Sequence, residues 1–221
     1  MARIESDINT PIMYILGSDG TLRLQVDPGT DGAKLRQYET SDGKKGEKWE
    51  LTFKGLEGTI SNIQEFDGDY GKNLMVTIAY DGGADTVSLS TTSPYGEDFM
   101  KRLPSLDLDR PIRFSPYSFE DDRGKVRKGV SIIQDGHGWE KDKAPNFFYD
   151  LENKKNLHGY PDPEGDVSKY DKDDWKIYFT KCRKFLVNYT EENIMPRFAH
   201  LSRKIEVSSV EYPSDFQEPT I

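Results

Sequence analysis

LEGTISNIQEFDGDYGKNLMVTIAYDGGADTVSLS, residues 56–90, decides the fold. Leu56, Gly58 and Ile60 alternate with Glu57, Thr59 and Ser61, the two-residue period of a strand with one buried face. The turn-rich break Asp67-Gly68-Asp69-Tyr70-Gly71 follows. Leu74, Val76 and Ile78 alternate through a second strand, Asp81-Gly82-Gly83 turns the chain, and Val87 and Leu89 mark a third. The first of these strands is long, and Gly58 lets it bend sharply.

Working downstream, GEDFMKRLPSLD, residues 96–107, places Phe99, Leu103 and Leu106 at helical spacing, ended near Pro104. Ile112 and Phe114 open a fourth strand, and Gly129 to Ile133 lies in a fifth. Pro116 interrupts the fourth, as at a bulge or a sheet edge. Three strands, a short helix and two strands is the element order of an oligonucleotide/oligosaccharide-binding (OB) barrel. The expected fold is mainly β, with a five-stranded OB-fold core over residues 52–149.

Upstream, residues 1–51 read as N-terminal strands and a polar arm packing on the barrel. Tyr14–Leu16 and Thr21–Val26 flank the hairpin turn Gly17-Ser18-Asp19-Gly20. The polar run from Asp27 to Glu50 reads as an exposed loop or arm, and Trp49, Leu51 and Phe53, alternating with Glu50 and Thr52, as a half-buried strand. Residues 150–205 form a polar linker and a C-terminal helix packing on the barrel. Trp175, Phe179, Cys182, Leu186 and Tyr189 fall three and four residues apart, an amphipathic stripe capped by Asp171 or Asp173. Trp175, Phe179, Cys182 and Leu186 are therefore assigned to the core. Residues 206–221 carry Glu206, Glu211, Asp215 and Glu218 without Lys or Arg, an acidic tail of disordered composition.

Composition narrows the function. The 221 residues carry a net charge of −9, which argues against coating nucleic acid by bulk charge and leaves room for a local basic groove. The one cysteine, Cys182, rules out an internal disulfide and fits a reducing compartment. The N-terminus has charges where a leader peptide needs an apolar core, and no run is long enough for a membrane span. The expected setting is soluble and intracellular, with no membrane partner. His137, His158 and His200 stand in unrelated contexts, and zinc-ligand spacings, P-loop and nucleophile motifs are absent. Asp67-Gly68-Asp69 begins like a calcium loop but lacks its glycine and closing glutamate. The expectation is a non-enzyme with no cofactor, no metal and no catalytic residue.

One segment runs against the acidic background. RPIRFSPYSFEDDRGKVRKGVSIIQDG, residues 110–136, interleaves cations with aromatics. Gripping single-stranded nucleic acid without reading sequence needs cations along the phosphates and flat rings under the bases. The phosphate candidates are Lys72, Arg113, Arg123, Lys125, Arg127 and Lys128. The stacking candidates are Tyr70, Phe114, Tyr117 and Phe119, with the parity of Phe114 pointing inward. Arg123 to Lys128 lie in and after the loop joining strands four and five, one wall of an OB groove; Tyr70 and Lys72 belong to the opposite wall. A solvated hairpin neutralised by Glu120, Asp121 and Asp122 explains any single one of these residues equally well.

The chain resembles the OB-fold single-stranded DNA-binding proteins of bacteriophages, in particular tailed phages of Bacteroidetes hosts. The residues that carry the likeness are GxIxxI at 58–63, DYGKNLMVTI at 69–78 and KRLPSLDLDRPIRFSPYSFEDDRGK at 101–125. GYP at 159–161 and RKFLVNYTEENIMPRF at 183–198 add to it. The resemblance implies DNA replication and recombination in the cytoplasm of the infected host, single-stranded DNA as partner, and no cofactor. Such proteins often end in an acidic tail that recruits replication proteins and closes on an aromatic residue; here Ile221 closes the chain and Phe216 precedes it. Homo-oligomer formation is compatible with this reading. Two rivals stand beside it: a virion structural or assembly β-barrel, and a nuclease using scattered carboxylates.

Overall fold

The computed structural model describes residues 12–39, 43–68 and 71–198. Nine strands form one curled sheet: β1 (Ile12–Leu16), β2 (Leu22–Val26), β3 (Lys34–Glu39), β4 (Lys45–Phe53), β5 (Leu56–Gly68), β6 (Gly71–Tyr80), β7 (Gly83–Ser90), β8 (Ile112–Glu120) and β9 (Val126–Ile133). Their order across the sheet is β3-β4-β2-β1-β7-β6-β5-β8-β9. Helix α1 (Pro94–Arg102) follows β7, and helix α2 (Lys172–Asn193) closes the C-terminal part.

The five strands expected from the sequence are adjacent in the order β7-β6-β5-β8-β9. Gly58 is the point where β5 changes partners. Leu56 to Gly58 pair with β8, and from Thr59 onward β5 pairs with β6, with a register shift between Ile60 and Asn62. A Cβ on Gly58 would fall 2.3 Å from the Ala79 carbonyl oxygen, so only glycine lets the two strands approach. Buried Ile60, Ile63, Leu74, Val76, Ile78, Val87 and Leu89 supply the inner face, the irregularity between Ile60 and Asn62 bringing Ile63 to the same side as Ile60.

The edges differ from a five-stranded barrel. Closing these strands on themselves would bring β9 to β7, but the β7 edge is taken by β1. Ile12 to Ile15 pair with Asp85 to Ser88, the one parallel pairing among the described strands. The described architecture is thus a curled nine-stranded half-barrel. The polar run after Asp27 is also more ordered than expected, because β3 and β4 pair from Lys34↔Glu50 to Glu39↔Lys45. What holds this outer sheet is Glu50, 7% exposed on the central strand β4. Arg36 grips it with two hydrogen bonds of 2.7 and 2.8 Å, and Arg23 adds a third at 3.1 Å.

α1 plugs the β9 side. Ser93 caps it by accepting from the Gly96 N–H at 3.1 Å, and Pro94 starts it. It buries Tyr95, Phe99 and Met100, with Phe99 meeting Phe114 edge-on at 6.0 Å. Asp98 accepts the Val130 N–H at 2.9 Å. Val130 therefore does not donate to its cross-strand partner Pro116, and the missing proline N–H costs the ladder nothing. Asp171 caps α2 in a reciprocal capping box with Asp174. Cys182, Leu186 and Thr190 of α2 are buried, but Trp175 and Phe179 are 36% and 45% exposed, which removes both from the core assigned to them.

Candidate nucleic-acid interface

β8 and β9 form a ribbon that outruns its support. β5 pairs with β8 only between Leu56↔Phe114 and Gly58↔Ile112, while the β8–β9 ladder continues to Glu120↔Val126. The β1–β2 turn touches the ribbon once more. Gly20 sits so close to it that a Cβ would fall 2.4 Å from the Ser118 nitrogen. Beyond Ser118, residues 119–127 are exposed apart from Asp121.

The tip is built by its turn chemistry. Gly124 has φ +72°, the Gly124 N–H donates to the Asp121 carbonyl at 2.8 Å, and the Asp121 N–H donates to the Lys125 carbonyl at 2.9 Å. That is a three-residue hairpin loop with glycine in the left-handed position. The Asp121 carboxylate accepts from Arg127 at 2.8 Å and from the backbone N–H groups of Lys125 at 2.9 Å and Arg123 at 3.1 Å. These donors, Arg127 foremost, hold its carboxyl below the usual range. Asp121 is therefore occupied with the turn and with Arg127. Among the described residues, Arg123, Lys125 and Lys128 form no ion pair.

Cross-strand partners share a face of the ribbon. Ile112, Phe114 and Pro116 are buried opposite Ile132 and Val130. Phe114 is 1% exposed against Phe99, so it cannot take a base and is struck from the stacking set. The opposite face carries Arg113, Tyr117, Phe119 and Arg127, with Phe119 directly across from Arg127. Tyr117 lies over Gly129, where a Cβ would fall 2.5 Å from the Tyr117 hydroxyl and 2.5 Å from Asp98. Burial raises the Tyr117 phenol above its usual pKa. Phe119 packs beside it at 5.7 Å between ring centroids and is 55% exposed. Tyr117 thus backs the pair and Phe119 presents the free surface.

The other candidates separate. Arg113 shares the Tyr117 face and meets Glu57 at 3.5 Å, an exposed pair worth about 0–1 kcal/mol that a phosphate can displace. Lys128 lies on the opposite face, in register with Ser118. Lys72 is held by Glu65 at 2.8 Å and Glu191 at 3.3 Å, and these carboxylates, Glu65 foremost, raise its pKa. It also stands at the far end of β5 from the ribbon, since β8 runs antiparallel to β5 and leaves past its start. Tyr70 and the acidic tail from Glu206 lie outside the described residues. Two supporting residues were not singled out from sequence, Asp98 and Gly129. The Asp121 turn was legible in principle, because aspartate with glycine three residues on is a turn signature.

Comparison with protein-family models, curated proteins and solved structures finds no match. The ribbon combines an exposed ring, a backing ring, two paired arginines on the same face and, among the described residues, unpaired cations at the tip. Among the described residues no three His, Cys, Asp or Glu side chains gather as a metal site. No described helix is long and apolar enough to cross a membrane.

Proposed function

We propose that the protein is a non-enzymatic, sequence-independent single-stranded DNA-binding protein of phage replication and recombination, and that the β8–β9 ribbon is its principal contact. The observation that carries this reading is the Tyr117–Phe119 pair, 55% exposed at Phe119, on one face with Arg113 and Arg127 and next to the free tip cations. A base stacks on Phe119, worth about 1–3 kcal/mol. Its flanking phosphates displace the weak Glu57 partner of Arg113, compete with Asp121 for Arg127, and meet Arg123 and Lys125 directly. None of these contacts reads a base edge, so discrimination between sequences is small. The net charge of −9 belongs to the whole chain and sets no limit on a local basic ribbon.

The test is fluorescence anisotropy of a labelled oligo-dT of about thirty bases, titrated with the full chain at low and high salt with duplex competitor. The expected result is binding that duplex cannot displace and that weakens with salt, with a log–log slope of about −0.7 per phosphate contact. No binding at low salt overturns the proposal and favours an assembly role.

A further inference from the structure

The apolar stripe of α2 is longer than the surface it covers. Cys182, Leu186 and Thr190 are buried along it. The same three- and four-residue steps, followed back toward the N-terminus, reach Phe179 and Trp175, which are exposed. Residues 171–177 are exposed without exception, so the first turns of the helix overhang the body, with Tyr170 and Tyr178 meeting the Trp175 ring edge-on at 5.1 and 5.9 Å. Trp175 and Phe179 stack there, with ring centroids 5.6 Å apart and 24° between planes.

A stripe alone does not name its occupant; its flanks do. Lys172, Lys176, Thr180 and Arg183 run beside the ring pair in steps of four and three residues, and that line contains no carboxylate. Among the described residues none of its three cations has an ion pair, and Arg183 donates to Thr180 Oγ1 at 3.3 Å. The carboxylates of Asp171 and Asp174 are engaged in the capping box, and that of Asp173, exposed in the same turn, pairs with none of the three cations. The other flank, with Asp174 and Lys181, borders a cleft lined by Asp162, Glu164 and Asp166, where Glu164 holds Lys181. Two stacked rings beside an unpaired cationic line about 16 Å long match a nucleic-acid strand. A second copy packed antiparallel on this stripe would set the cationic line against itself.

We propose that the overhang of α2 is a second contact for single-stranded nucleic acid. A base stacks on the Trp175–Phe179 pair, and phosphates follow Lys172, Lys176 and Arg183. This rests on the reading of the protein as a single-strand binder, and extends the footprint beyond the β8–β9 ribbon.

Two measurements on the full chain decide it. The chain has three tryptophans, so Trp49→Phe with Trp139→Phe leaves Trp175 as the only indole. Oligo-dT is expected to quench its emission by roughly half or more, as stacking on the indole requires. Separately, Lys172→Glu, Lys176→Glu and Arg183→Glu together are expected to weaken oligo-dT of about thirty bases by roughly tenfold. The same variant should bind about eight bases within about twofold of the parent, because a short strand engages the ribbon alone. Lys172 and Lys176 are exposed and Arg183 is half-buried, and the quenching experiment stands without them if that variant does not fold. Oligo-dT binding with unchanged Trp175 emission overturns the second contact and leaves the ribbon reading intact. Failure of the unsubstituted chain to bind oligo-dT overturns both. A dimer that Trp175→Ala with Phe179→Ala converts to monomer, with DNA affinity unchanged, assigns the overhang to self-association and overturns the proposal.

Discussion

In the outer sheet, Arg23 and Arg36 converge on Glu50, which is 7% exposed, whereas Arg123 and Lys125 at the β8–β9 tip have no ion-pair partner among the described residues. Both regions are polar hairpins rich in cations, and composition does not separate them. The position of the carboxylate does. Glu50 sits mid-strand, in register with Gln25 on one side and Lys34 on the other, so Arg23 and Arg36 reach it diagonally from both neighbouring strands. In the ribbon the acids cluster at the turn, and Asp121 faces its own backbone N–H groups and Arg127. A basic cluster holds a fold together when an acid shares its face in the middle of the ladder. It stays available to a ligand when the acids lie beyond the ladder's end.

The sharpest way to break this comparison is charge reversal at the tip. Arg123→Glu, Lys125→Glu and Arg127→Glu together are expected to weaken oligo-dT by about a hundredfold or more and to flatten the salt slope by about 2. The melting temperature should stay near that of the parent; unchanged affinity in a folded variant rejects the ribbon. Next, Phe119→Ala should cost about 1–3 kcal/mol of binding, and anisotropy should show that the loss survives high salt, where a phosphate contact would fade.

Glu50→Gln tests the other side. It should cost about 1–3 kcal/mol of stability by denaturant titration and leave DNA affinity within about twofold. The Glu50 pKa lies below its ordinary value, mainly through its hydrogen bond to Arg36. A depressed carboxylate stabilises the fold fully above its unfolded pKa near about 4.3, and the stabilisation is lost as pH falls through the lower folded value. The parent should therefore lose stability in that acid window more steeply than Glu50→Gln. The smallest effect belongs to Lys72→Ala, expected within about twofold on binding, because Glu65 and Glu191 already hold that ammonium.

Much of the fold was legible because its signals are local. Alternation placed β5, β6 and β7, turn residues placed the hairpins, and the spacing of Phe99 and Leu103 marked α1. The parallel docking of β1 on β7 was not legible, since pairing between distant strands leaves no trace in the period of either. The β3–β4 hairpin was obscured by a composition typical of loops, and the bonds from Arg36 to Glu50 that tie it to the sheet join residues fourteen apart. In the candidate site, the parity of Phe114 with Ile112 already pointed inward, and burial against Phe99 agrees with that parity. The opposite faces of Lys128 and Arg127 follow only once the ladder register is known. For Trp175 and Phe179, periodicity defined the stripe but carried no information on where the body beneath it ends.

The β1–β7 pairing has a consequence in time. Ile12 meets Asp85, so although β1 can pair with β2 as soon as that strand is made, its other edge finds β7 only after about seventy further residues. At about 5–20 residues per second that is about 4–14 s of synthesis, during which the β7-facing edge of β1 is unpaired. The β7 edge is likewise open from the moment β7 forms until β1 arrives. A nascent chain in that interval carries one open edge of β1, and the β7 edge of a neighbouring chain on the same message can pair with it. Crowded translation thus favours exchange of the N-terminal strand between copies, a route to intertwined dimers set by the order of synthesis.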